Sequence, residues 1–93
     1  MSGIDAMVNG QSSILIYPNP FTNELSVVIQ KQNIKQASFI ITNVLGQQLY
    51  KKEETNLSNY YTKQLDLSKL ASGVYFVEIN VDGENTVKQV VKQ

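Results

Sequence analysis

Gly73-Val74-Tyr75-Phe76-Val77-Glu78-Ile79-Asn80-Val81, followed by Asp82-Gly83 and then Glu84-Asn85-Thr86-Val87-Lys88-Gln89-Val90-Val91, is the stretch from which the architecture follows. Tyr75, Val77, Ile79 and Val81 alternate with Phe76, Glu78 and Asn80, the period of two that puts one row of side chains on one face of a strand. Asp82-Gly83 makes a two-residue hairpin turn. The chain doubles back there, and the return strand runs from Glu84 to about Val91.

Immediately upstream, Asp66 to Ser72 predicts a short helical or 3₁₀ turn with Asp66 as N-cap, Leu67 and Leu70 on its inner side and Gly73 ending it. Leu70, Gly73 and Tyr75 have the spacing of a tyrosine corner, in which a tyrosine at the start of a late strand hydrogen-bonds backwards across an inter-sheet connection. Further back, Tyr61, Lys63 and Leu65 alternate with Tyr60, Thr62 and Gln64 as another strand, after a polar stretch, Glu53 to Asn59, that reads as a loop. Ala37, Phe39 and Ile41 alternate with Ser38, Ile40 and Thr42; this strand breaks at Asn43-Val44-Leu45-Gly46 and resumes at Gln48-Leu49-Tyr50. Gly46 is expected at positive φ in a tight connection, where a bulky residue would be costly.

Leu25, Val27 and Ile29 form a further alternating row, against Ser26, Val28 and Gln30. Ile14-Leu15-Ile16-Tyr17 is a first strand, halted by Pro18-Asn19-Pro20. Each proline forces extended backbone on the residue before it and removes a ladder donor, so this segment belongs at a sheet edge. Met1 to Ser13 is polar with no sustained periodicity and reads as a flexible linker, or the remnant of a cut upstream of a domain lifted from a longer chain; residues 14–93 form the domain. Strands at eight-to-twelve-residue spacing, with no long helix, predict an all-β fold: a seven-stranded antiparallel immunoglobulin-like β-sandwich.

Composition narrows the function. The chain has 93 residues, with eight lysines against eight carboxylates, no arginine, histidine, cysteine or tryptophan, and only 17% charged residues. A chain this short buries roughly 60–65% of the surface that its unfolded form exposes, so its apolar content is needed for one core. Nine Asn and nine Gln supply much of the polar surface, which suits recognition by shape and hydrogen bonds. Zero net charge without arginine argues against a nucleic-acid groove. No apolar run reaches the ~18–20 residues of a membrane span, and Met1-Ser2-Gly3 lacks the basic and apolar regions of a signal peptide.

Without His or Cys, triad-type nucleophiles and His- or Cys-ligated metal sites are impossible. Glu24, Glu53, Glu54, Asp66, Glu78, Asp82 and Glu84 fall at turns, in a polar loop or on outward strand positions, where carboxylates are solvated. No calcium loop or phosphate cradle is present, so no catalytic residue, metal or cofactor is assigned. Asn56-Leu57-Ser58 fits the glycosylation acceptor pattern. Tyr60-Tyr61 beside Asn59 and Thr62 offers an aromatic platform for a sugar; the plainer expectation is one tyrosine packed inward and the other covering a sheet face. Val87-Lys88-Gln89-Val90-Val91-Lys92-Gln93 reads as a final edge strand, with Lys88 and Lys92 outward to discourage aggregation, or as a partner-docking strand open to β-augmentation.

Four linked blocks carry a resemblance. Tyr17-Pro18-Asn19-Pro20-Phe21, Asn43-Val44-Leu45-Gly46-Gln47, the run from Asp66 through Leu70, Gly73 and Tyr75 to Val77, and the Lys-containing apolar terminus resemble, in order and spacing, the type A C-terminal sorting domain of cargo for the type IX (Por) secretion system. The similarity covers about Ile14 to Gln93. Asn43 stands where that family often has Asp, and Gln47 where it commonly has Arg.

The resemblance implies a non-catalytic address label for a covalently attached upstream cargo, secreted or placed on the cell surface of Bacteroidetes-type bacteria. By it, cargo reaches the periplasm, the outer-membrane translocon recognises the folded domain, and a sortase-like surface peptidase removes it, with no membrane insertion and no nucleic acid involved. Cleavage is expected in or before the stretch ending near Ser13. Lys88, Val90, Val91 and Lys92 are the expected recognition residues, the lysines giving charge-assisted contacts and a valine the apolar anchor. Pro18, Asn19, Pro20, Gly46, Asp66, Leu70, Gly73 and Tyr75 are expected to be scaffold. The rival readings are a carbohydrate-binding module of a secreted enzyme, using Tyr60 and Tyr61, and an adhesin-type repeat; a chain ending directly after its last strand fits the address label.

Overall fold

The computed structural model describes residues 13–55, 57 and 59–93. The expected linker, apart from Ser13, and the Asn56 and Ser58 of the glycosylation pattern lie outside the described residues. Seven strands follow in order: β1 (Ser13–Tyr17), β2 (Glu24–Gln30), β3 (Gln36–Asn43), β4 (Gln48–Thr55), β5 (Tyr61–Asp66), β6 (Gly73–Val81) and β7 (Glu84–Lys92). They form two antiparallel sheets, β1-β2-β5 and β4-β3-β6-β7, and no helix occurs among the described residues. The chain crosses between sheets after β2, β4 and β5, which gives the immunoglobulin-like sandwich.

Alternation decides what is buried. Leu25, Val27, Ile29 and Leu65 from one sheet meet Ala37, Phe39, Ile41, Tyr75, Val77, Ile79, Val81 and Val90 from the other, with Phe21, Ile34 and Leu67 closing the ends. Each large side chain fully buried there contributes about 1.5–3 kcal/mol from loss of water contact. β1 and β7 are edge strands, as the prolines and the chain order suggested.

Two local expectations fail, for identifiable reasons. Glu53 to Thr55, expected in a loop, continue β4, pairing Ser38 with Glu53, Ala37 with Glu54 and Gln36 with Thr55. The stretch is polar because β4 is an edge strand with little of either face covered. Its Glu54 does turn towards the interior, where Lys63 of β5 donates to Glu54 Oε2 at 2.8 Å and bridges the two sheets. The expected helical turn after Asp66 is instead a bare turn. Leu67, where a helix would begin, still donates its N–H to the Asn23 carbonyl at 2.8 Å, so its backbone remains tied beside β2 and only one tight bond, Leu70 N–H to the Leu67 carbonyl at 3.1 Å, can follow.

The β6–β7 hairpin turns at Asp82 and Gly83, with φ of 48° and 93°. The Asp82 carboxylate also holds the start of β3 and the segment before it, accepting from Lys31 Nζ at 2.5 Å, from Gln36 N–H at 2.9 Å and from Lys35 N–H at 3.1 Å. The Lys31 ammonium, helped by these amides, holds the Asp82 carboxyl below its ordinary range. A depressed carboxylate contributes stability that is complete above its unfolded pKa and is lost as pH falls through its folded pKa. Asp82→Asn, which keeps tolerance of positive φ, should therefore melt a few degrees below the parent at neutral pH, and the gap should close as melting is followed below about pH 4.

Candidate functional site: the final strand and its clamp

The last strand is held from both sides. Along one edge β7 pairs with β6 from Gly73 opposite Lys92 to Val81 opposite Glu84. Along the other edge lies the segment that follows β1. Pro18 and Pro20 have no N–H and cannot extend a ladder, so the side chain of Asn19 does so in their place: Val91 N–H donates to Asn19 Oδ1 at 3.0 Å, and Asn19 Nδ2 donates to the Gln89 carbonyl at 3.3 Å. Phe21 then pairs in parallel with Lys92, its N–H donating to the Val91 carbonyl at 2.9 Å while Gln93 N–H donates to the Phe21 carbonyl at 2.8 Å. The Tyr17–Pro18 and Asn19–Pro20 peptide bonds are cis. The edge from Gln89 to Gln93 is thus occupied within the chain, and the expectation of a wholly open terminal edge is corrected.

Parity divides the four expected recognition residues differently from the sequence reading. Val90 lies opposite Tyr75 and Lys88 opposite Val77, so both, with Lys92, belong to the core-facing row. Val90 is 1% exposed and Lys92 9%. The outward placement expected for Lys92 is incorrect: the Phe21 bridge lies beside it, and a lysine tolerates such a position by laying its aliphatic stem along apolar surface. Lys88 shares the row but is exposed at the strand edge. Val91, on the outer face, is 37% exposed.

The remaining motif residues shape the turns around this hairpin. Tyr75 is buried, and its hydroxyl donates to the Ala71 carbonyl at 2.5 Å, the backward bond of a tyrosine corner across the β5–β6 connection. Asp66 Oδ1 accepts from Ser68 N–H at 3.1 Å, and Leu70 packs partly buried against the core. Hydrogen bonds from Ser68 hold the Asp66 carboxyl below its ordinary value. Gly73 has φ of 152°, with open space where a Cβ would stand, so conformation rather than crowding requires glycine there. Tyr75→Phe should lower stability by about 1–2 kcal/mol by stranding the Ala71 carbonyl, read as a lower urea midpoint at unchanged slope.

At the β3–β4 connection Gly46 takes φ of 83°. Asn43 organises this turn, its Oδ1 accepting from Leu45 N–H at 2.9 Å and from Gln47 N–H at 3.0 Å. The two departures from the family pattern meet in one contact, where Asn43 Nδ2 donates to Gln47 Oε1 at 2.8 Å. Tyr60 and Tyr61 do not form a shared platform: Tyr60 is 57% exposed, while Tyr61 packs against Phe39 with ring centroids 6.4 Å apart. Burial first, and then the charge of Glu54, push the Tyr61 hydroxyl pKa upward. A depression of about 310 Å³ lies between Leu49, Tyr50 and the Asp66 to Leu70 turn; its carboxylate is already engaged by Ser68.

The clamp went unread in the sequence because Asn19 and Val91 stand 72 residues apart. The local signal was the pair of prolines flanking a residue whose side chain carries both a donor and an acceptor.

In a comparison with curated proteins nothing matches the chain. A family model described as the secretion system C-terminal sorting domain matches residues 15–93, a span that takes in the clamp, the Asn43 turn, the tyrosine corner and the terminal strand. With nearly the whole sandwich inside that match, the chain belongs to the family of secretion system C-terminal sorting domains, the sorting signals of type IX secretion.

Proposed function

We propose that this domain carries an attached upstream cargo from the periplasm through the type IX outer-membrane translocon, acting by being recognised and not by catalysis, and that a sortase-like peptidase then removes it at the surface. The observation that supports this most is the family match over residues 15–93. Within that reading the folded β6–β7 hairpin is the recognition element, and the four hydrogen bonds to and from Asn19 and Phe21 serve to keep its final strand in place. Lys88 and Val91 remain candidates for contact with the apparatus; Val90 and Lys92 act on the fold. Cleavage falls upstream of β1, since a peptidase needs extended, unpaired backbone.

The test is a fluorescent reporter with a signal peptide at its front and the 93-residue chain at its end, expressed in a bacterium with an intact type IX system and in a translocon-deficient strain. Surface or medium fluorescence in the intact strain alone is expected. Periplasmic retention in both strains, with the domain folded, would refute the sorting role and bring a glycan-binding screen forward.

A further inference from the structure

The outer face of the four-stranded sheet is unusual for a face turned to water. Antiparallel sheets commonly alternate apolar inward and polar outward, yet here Ile40, Val74, Phe76, Val87 and Val91 all lie on the side away from the core, as the pairing of Ile40 with Glu78, Glu78 with Val87 and Val74 with Val91 requires. Ile40, Val74 and Phe76 are half-buried, and Val87 is 57% exposed. Glu78 stands in the middle of the row, flanked directly by Ile40 and Val87. Lys51, the next residue in that row beyond Ile40, is paired with Glu53 at 3.6 Å. Among the described residues the Glu78 carboxylate makes no hydrogen bond or ion pair.

Apolar cover alone would strip water from that carboxylate without compensation, which is costly, whereas a cation set among apolar groups would satisfy both features. Resting on the sorting role above, we propose that this face is the surface read by the secretion apparatus, and that its partner there is a protein presenting a lysine or arginine, ringed by aliphatic or aromatic side chains, against Glu78. Charge complementarity then sets register on the face, and the valines supply contact area.

The experiment uses the reporter fusion with Glu78→Gln, Val87→Lys and, as a control, Thr62→Lys, which places the same charge at an exposed position on the outer face of the three-stranded sheet. Thermal melts of each 93-residue variant accompany the export measurement. The expected result is parental melting throughout, with export lowered about tenfold or more by Val87→Lys, lowered less by Glu78→Gln and unchanged by Thr62→Lys. Parental export of Val87→Lys and Glu78→Gln, while the unmodified fusion still needs the translocon, would overturn the proposed face and leave the sorting role standing. An unmodified fusion that is exported in neither strain would overturn the sorting role and the face with it. Sedimentation showing a dimer that Val87→Lys dissolves would assign the face to a second copy of the chain and equally overturn the proposal.

Discussion

Phe21→Ala is expected to remove about 3–5 kcal/mol of folding stability, the range for truncating a fully buried aromatic side chain. Phe21 is 1% exposed and belongs to the core cluster, although it sits outside every strand. Its backbone meanwhile receives Gln93 N–H and donates to Val91, so the cavity left by truncation opens beside the pairing that holds β7. A domain of this length has about 5–14 kcal/mol in total, and a loss of this size leaves a substantial unfolded fraction on modest heating. Urea unfolding of parent and variant measures it. A change below about 1 kcal/mol would mean that the segment after β1 is an ornament on the sandwich and not part of it. Asn19→Ala, which removes two side-chain contacts and no core volume, should cost about 1–2 kcal/mol.

Val90→Asp and Val91→Asp make the second large contrast, between adjacent residues of one strand. Val90 faces Tyr75 across the ladder and is buried, so a carboxylate there would lose its water without a partner; more than about 4 kcal/mol is expected, enough to prevent stable folding. Val91 points to the outer face, and its substitution should change stability by no more than about 0.5 kcal/mol. Circular dichroism melts of the two proteins separate these outcomes. Equal, small effects would show a register slip of one residue, which exchanges the two faces of a strand. The contrast also governs how the terminus can be probed. Deleting Lys88 to Gln93 removes Val90 and the Phe21 pairing together, so that deletion tests folding and recognition at once, whereas Val91 and Val87 can be altered with the fold kept.

What was legible in the sequence was local. Period-two alternation from Leu25 to Ile29, from Ala37 to Ile41 and from Tyr75 to Val81 identified buried rows that the structure reproduces, because side-chain direction in a strand depends only on parity. Gly46 announced its positive φ and Asp82-Gly83 its hairpin turn from the residues alone, since conformational freedom belongs to the residue itself. Tyr75 was legible through its spacing from the connection it bonds back to.

What was not legible depended on partners far along the chain. Nothing near Lys92 signals that Phe21 will lie beside it, so a lysine near the terminus read as solvent-facing. The polar run through Glu53 and Glu54 read as a loop because an edge strand needs no apolar row of its own, and Lys63, which engages Glu54, belongs to the other sheet. Asp82 was identified as a turn residue but not as the anchor of Lys31, Lys35 and Gln36, a role that exists only once β3 and β6 are neighbours. The apolar outer face was likewise hidden. Val74 and Phe76 sit in a run where inward and outward positions are both apolar, Val87 stands between the inward-row Thr86 and Lys88, and only strand pairing brings these valines and Phe76 onto one face with Ile40 and Glu78.

We propose that the sorting domain is read as a folded sandwich, with its last strand held by the segment after β1. The most direct measurement is translocon-dependent export of the reporter carrying Phe21→Ala, followed across the melting temperature of that variant beside the parent. Every residue from 22 to 93 is unchanged in it, so a signal read as an unfolded tail would be intact. Export is expected below the variant's melting temperature and periplasmic retention above it, while the parent is exported at both. Parental export of Phe21→Ala at temperatures where it is unfolded would rule out recognition of the folded sandwich and place the signal in the linear sequence of the terminus.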